Sequence, residues 1–225
     1  METNAQRYWL EFASRASLKV SVEAKHSAFF EGIRHLPEPW GLGSRPIPPV
    51  PDFGGDIDAI YSLKEILGDI VCESHVAYRY RRNLSDDGYS DDDINIILRP
   101  ARVDVKHLLY TVVPAYIAAF DAYSFACSDE QFIDIEALRP RPNPRHGVYR
   151  VGPVSFFDEL LCQNAFGLRA SEVVGLFTGR IENAAVLHNG AYLIGSSQVQ
   201  RFEESQKLSK EMHQYLFANR NWHRR

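Results

Sequence analysis

The sequence predicts an α+β fold, with mixed, mostly antiparallel sheet carrying packed helices. Three observations lead to it. Strand-like and helix-like stretches interleave without the regular period of βαβ units. Asn189-Gly190 stands between two apolar runs, a strong local hairpin signal. Two segments, after Ala16 and after Asp104, repeat apolar residues at helical spacing.

In chain order, Arg7 to Ala13 is rich in aromatics and reads as a first strand. From Ala16 the period changes: Leu18, Val22, Phe29, Ile33 and Leu36 fall on one helical face, His26 fills the missing turn, and Pro37 ends the helix. Six of the twelve prolines lie between Pro37 and Pro51, so that stretch predicts an irregular crossing. Asp56 is placed to cap a second helix carrying Ile57, Ile60, Leu63, Ile66 and Leu67, which Gly68 stops. Ile70 to Arg81 reads as a strand, Ser85 to Asp93 as an acidic turn, and Ile94 to Leu98 as the returning strand of an antiparallel hairpin.

Asp104 then opens a buried helix through Phe120, with a kink expected at Pro114. A strand around Tyr123 to Cys127 follows, then a basic, proline-rich crossing from Arg139 to Gly147 and a short strand at Val148 to Val151. Ser155 and Asp158 resemble a capping box ahead of a helix beginning with Phe156 and Phe157. Gly167 separates it from another helix at Ser171 to Phe177. Asn189-Gly190 predicts a type I′ turn between Ala184 to His188 and Ala191 to Ile194. The last helix, Phe202 to Phe217, has Glu203 and Glu204 at its start and His213 and Arg220 towards its end, an order that suits the helix dipole.

At 225 residues, with 45% apolar and 12% aromatic side chains, the chain has material for one α+β domain over 1–225, or for two lobes meeting near 100–104. A charged fraction of 24% is ordinary for a folded protein, and a net charge of −4 gives no global field for nucleic acid. Cys72, Cys127 and Cys162 are odd in number and widely spaced, which favours free thiols in a reducing compartment over a disulfide framework. The N-terminus lacks a basic region followed by an apolar one, and the apolar run Leu108 to Phe120 is too short to span a bilayer. A cytoplasmic protein without membrane contact is expected.

Chemistry-bearing motifs are sparse. No His-x-x-x-His or paired cysteines support zinc, so no metal or cofactor is expected. Gly41-x-Gly43 sits among prolines, where no helix N-terminus would receive a phosphate. Cys72 and His75 would point to opposite faces of a strand. Glu23-Ala24-Lys25, with Glu11 upstream, matches in outline the acid and Glu-x-Lys pattern of metal-dependent nucleases, but the helical spacing around it competes. Arg139, Arg141, Arg145 and His146 read as an exposed loop whose interleaved prolines offer no stacking surface. No catalytic residue is assigned. The acidic turn is the candidate binding element: Asp86, Asp87, Asp91, Asp92 and Asp93 can imitate a phosphate track for a basic partner, with Tyr89 as an anchor.

Two stretches carry a family resemblance. One is Tyr8-Trp9, a long helix and then Trp40. The other is Pro153-Val154-Ser155-Phe156-Phe157, Asn164-Ala165-Phe166-Gly167 and Asn189-Gly190-Ala191-Tyr192-Leu193, closing with an amphipathic helix. In this order the chain resembles immunity proteins of bacterial polymorphic-toxin and type VI secretion systems. The resemblance implies a non-catalytic intracellular protein that binds and neutralises one cognate toxin, a nuclease among the candidates; a homo-oligomer is a separate expectation. A metal-dependent nuclease or other hydrolase and a structural adaptor of a phage or secretion machine are the alternatives.

Overall fold

The computed structural model describes residues 6–54, 58–85, 91–132 and 143–221. Eight strands form one sheet: β1 (Tyr8–Arg15), β2 (Asp58–Ser62), β3 (Val71–Arg79), β4 (Asp91–Leu98), β5 (Ser124–Asp129), β6 (Val154–Asp158), β7 (Asn183–Leu187) and β8 (Gly190–Ile194). Their order is β2-β3-β4-β1-β5-β6-β8-β7, and every neighbouring pair is antiparallel. The α+β class holds, with a sheet that is antiparallel throughout rather than mixed.

Alternation along the strands sorts side chains onto two faces. Leu10 and Phe12 of β1, Val76 and Tyr78 of β3, Ile94, Ile96 and Leu98 of β4, and Phe156 of β6 all point to one face. There they meet α1 (Val22–Ile33), the short α2 (Lys64–Leu67), and the helical run of α3 (Val105–His107), a π-turn (Leu108–Val112) and α4 (Val113–Phe120). On the other face Phe157, Ala191 and Leu193 are buried under α5 (Glu159–Phe166), α6 (Ala170–Phe177) and α7 (Phe202–Ala218). The result is three layers, helix on sheet on helix.

Local chemistry explains the boundaries. Ser21 caps α1 by accepting from the Ala24 N–H, so the helix begins later than its apolar period suggests and Leu18 is left 77% exposed. Gly32 of α1 faces Ala119 of α4, where a Cβ would lie 2.5 Å from the alanine Cβ; only glycine lets these helices approach so closely. Asp104 caps α3 as expected, accepting from the His107 N–H. The helix widens into the π-turn just before Pro114, a local answer to a residue without an N–H. The proline-rich crossing is latched to the helical layer: Arg34 donates to the carbonyls of Gly43 and Arg45, and His26 meets the Pro48 carbonyl at 3.0 Å and Tyr78 Oη at 3.1 Å.

Four expectations are corrected. The second helix shrinks to α2, because Asp58–Ser62 extends to pair with β3. No strand forms at Val148 to Val151; the strand lies at Val154–Asp158 and takes Phe156 and Phe157 into the sheet. Asp158, not Ser155, caps the helix that follows, accepting from the Leu161 N–H at 2.7 Å. The hairpin turn uses His188 and Asn189, with a positive φ only at His188 (52°), so it lacks the two positive angles of a type I′ turn. Gly190 instead opens β8, where a Cβ would strike the Phe156 ring at 2.4 Å.

Candidate binding face

The acidic turn is shorter than the sequence suggests, and its carboxylates part company. Asp86, Asp87 and Tyr89 lie outside the described residues. Asp91 and Asp92 belong to β4 and are buried, which corrects their assignment to a solvated loop. Asp92 takes a two-pronged ion pair from Arg81, both contacts at 2.7 Å, and accepts the Arg79 N–H at 2.9 Å. Asp91 accepts from Arg145 Nε at 2.7 Å and from Tyr123 Oη at 2.6 Å. Burial raises the Asp91 carboxyl above its ordinary value, against the pull of Tyr123 and Arg145. Arg145, expected in an exposed basic loop, is therefore an internal partner. Burial at a strand end overrides the loop because each charge meets a matched counter-charge.

Asp91 and Asp93 alternate onto the face opposite Asp92, and Asp93 is the one of the three that is half-buried rather than buried. Next to the half of that face covered by α5, α6 and α7, the neighbouring strands place their outward residues in register rows. Ile60, Ala77, Asp93 and Ala13 form one row. Ser62, His75, Asn95, Glu11 and Ala126 form the next, and Glu73, Ile97, Trp9 and Ser128 a third. Trp9, His75, Asp93, Asn95 and Ile97 are half-buried, and Ile60 is 60% exposed.

Hydrogen bonds fix the centre of this face. Trp9 Nε1 donates to Asn95 Oδ1 at 2.8 Å, and Asn95 Nδ2 donates to Asp93 Oδ1 at 2.5 Å. His75 Nε2 lies 3.6 Å from the same carboxylate oxygen, beyond hydrogen-bond length but within reach of its charge. The face thus presents an indole, an imidazole and a carboxylate on three adjacent rows. Period-2 alternation marks Trp9, His75 and Asn95 as outward residues in the sequence. That they stand side by side depends on strand order, which the sequence does not display.

The nuclease constellation does not assemble. Glu11 sits on this face, Glu23 is exposed on α1, and Lys25 is buried on the opposite side of the sheet. Lys25 Nζ donates to Ser14 Oγ at 2.7 Å and to the Phe120 carbonyl, the last of α4. Among the described residues no three His, Cys, Asp or Glu side chains gather as metal ligands would. Cys127 is buried and its thiol is pushed up to about 12, and burial also raises Cys162, so neither supplies a ready thiolate. Among the described residues no helix is long and apolar enough to cross a membrane.

No protein-family model matches this chain, and a search of the curated proteins finds no match.

Proposed function

We propose that the chain is a toxin-neutralising binding protein of the immunity type, and that a cognate bacterial toxin docks on the face built by β3, β4 and β1. The hydrogen-bonded chain of Trp9, Asn95 and Asp93 carries this reading. Side chains already held by hydrogen bonds surrender little rotamer freedom on association, so more of the contact energy survives as affinity. Tryptophan is among the residues most often dominant in interfaces. Glu11, Glu73 and Asp93 outnumber the basic side chains in the same rows, which hold His75 and no lysine or arginine. That bias favours a basic partner, as a nucleic-acid-cleaving toxin would be, and Asp86 and Asp87 stand a few residues before β4 in the sequence. Neutralisation follows from occluding the toxin, with no bond made or broken by this chain.

The test is co-expression with the toxin encoded beside the gene, followed by measurement of the purified complex. The chain is expected to protect cells and to form a tight 1:1 or 2:2 assembly. Trp9→Ala is expected to weaken binding by roughly thirtyfold or more, the size of an interface hot spot. Absence of protection by the wild-type chain sinks the neutralising role. A stable homo-oligomer without toxin affinity points to the adaptor role instead. Undiminished affinity of both Trp9→Ala and Asp93→Asn removes this face as the docking surface.

A further inference from the structure

At the end of the sheet where β1 begins and β4 finishes, β3 departs from regular pairing. Val71 stands opposite Leu98 and Glu73 opposite Ile97, which leaves Cys72 as the extra residue of a bulge. Such a bulge bends its strand and re-aims the inserted side chain. Here Val71 and Cys72 line one wall of a concavity of about 340 Å³. Among the described residues, four cations, Arg7, Lys64, Arg99 and Arg102, line the remainder with a single acidic residue, Asp69.

These cations come from four separate places: the approach to β1, the start of α2, the residue after β4, and the following 3₁₀ turn (Pro100–Arg102). Two are partly committed. Arg7 lies 3.3 Å from Glu130, and Arg102 donates to the Asp69 carbonyl at 2.8 Å, which fixes its guanidinium at the rim. The side chains of Lys64 and Arg99 meet no hydrogen-bond or ion-pair partner among the described residues. Gathering like charges around one hollow costs Coulomb energy, and an anion with two or more charges recovers it.

We propose that this concavity is a binding site for a compact polyanion bearing adjacent phosphate groups, of the pyrophosphate class, either free or as the tail of a nucleotide. Guanidinium forks meet phosphate oxygens two at a time, and the lysine adds a point charge. The volume suits a small ligand. Among the described residues the lining holds no aromatic ring for a base to stack on, so recognition rests on the phosphates. The site does not depend on the toxin-binding reading, which concerns the outward face of the strands.

Cys72 supplies a built-in reporter. It is half-exposed, whereas Cys127 and Cys162 are buried with raised thiols, so an aromatic disulfide reagent reads Cys72 first. Titration calorimetry with inorganic pyrophosphate and with ADP is run alongside the rate of Cys72 modification. Sub-millimolar binding of pyrophosphate is expected, with slower modification at saturation. Arg99→Gln and Lys64→Gln are each expected to weaken it about tenfold, the worth of a charge-assisted hydrogen bond, without lowering the melting temperature. Equal affinities identify the free anion as sufficient; tighter ADP binding, equally lost in the two variants, identifies a nucleotide tail. Absence of both heat and protection overturns the site, as does binding that both variants retain. Binding of a single-stranded oligonucleotide without binding of pyrophosphate overturns it too, in favour of a nucleic-acid surface.

Discussion

Strands β1, β3 and β4 treat charge in opposite ways at their two ends. Where β4 begins, Asp91 meets Arg145, Asp92 meets Arg81, and Arg15 reaches Asp158 at the end of β6, stacked 4.2 Å over the Tyr123 ring. Each of these carboxylates has a guanidinium, and Asp91 and Asp92 are buried. Where β4 ends, four cations share a hollow with one acidic residue among the described residues. Burial makes the first arrangement obligatory, since a carboxylate out of water must be paired or forfeit its charge. Solvent access makes the second tolerable, because water and salt screen the surplus. Charge that holds the fold is thereby distinguished from charge that remains available to a ligand.

The sharpest way to break this contrast is Asp92→Ala. It strands Arg81 at a site where the aspartate side chain is 1% and the arginine 15% exposed, and it leaves the Arg79 N–H without its acceptor. Removing one member of a buried pair costs about 3–5 kcal/mol. Urea unfolding of the variant is expected to show a loss in that range. A loss below about 1 kcal/mol would place the pair with ordinary surface bridges and dissolve the distinction.

Lys25 tests the same end from the helical layer and predicts a smaller effect. Its ammonium sits at the C-terminal carbonyl of α4, the favourable pole of the helix dipole, and over the Phe120 ring at 4.8 Å. Lys25→Met removes both hydrogen bonds and exposes the Phe120 carbonyl to an apolar neighbour, for an expected loss of about 1–3 kcal/mol near neutral pH. Burial lowers the Lys25 pKa, with nearby Asp92 opposing the shift. The folded chain therefore releases this proton before the unfolded chain does. Between the folded value and the ordinary lysine value, stability gains from rising pH, and below that window the charged lysine is the strained form. Chemical denaturation across alkaline pH is expected to show that upward contribution in the wild type and not in Lys25→Met.

Much of the scaffold was legible because its signals are local. Asp104 as a cap, the β3–β4 hairpin and the β7–β8 hairpin need only neighbours in sequence. Asp56 and Ile57 lie outside the described residues; the helix expected over the positions after them failed because Asp58–Ser62 finds an edge of β3 to pair with, and tertiary context overrides a short apolar period. The candidate face was less legible. Trp9 and Asn95 are 86 residues apart, and Asp91 and Arg145 are 54 apart. Nothing in either residue's own neighbourhood announces the other, so a run of aspartates read as one solvated cluster was in fact divided: Asp92 lies on one face of the sheet, Asp91 and Asp93 on the other, and of the three only Asp93 is half-buried rather than buried. The basic hollow escaped notice for the same reason, its cations being single residues from four separate segments.

The smallest expected effect belongs to the open end. Arg99 is half-exposed and its side chain has no partner among the described residues, so Arg99→Ala deletes repulsion rather than an interaction. A surface change of this kind normally falls within about 0.5 kcal/mol of wild type. The sign is informative. At low ionic strength the variant is expected to be slightly more stable, because one of four like charges has left the hollow, and added salt is expected to erase the difference as screening shortens the range of the repulsion. Thermal unfolding at two salt concentrations measures it. A salt-insensitive loss above about 1 kcal/mol would mean that Arg99 is held by the fold after all, and the two ends would then differ in degree and not in kind.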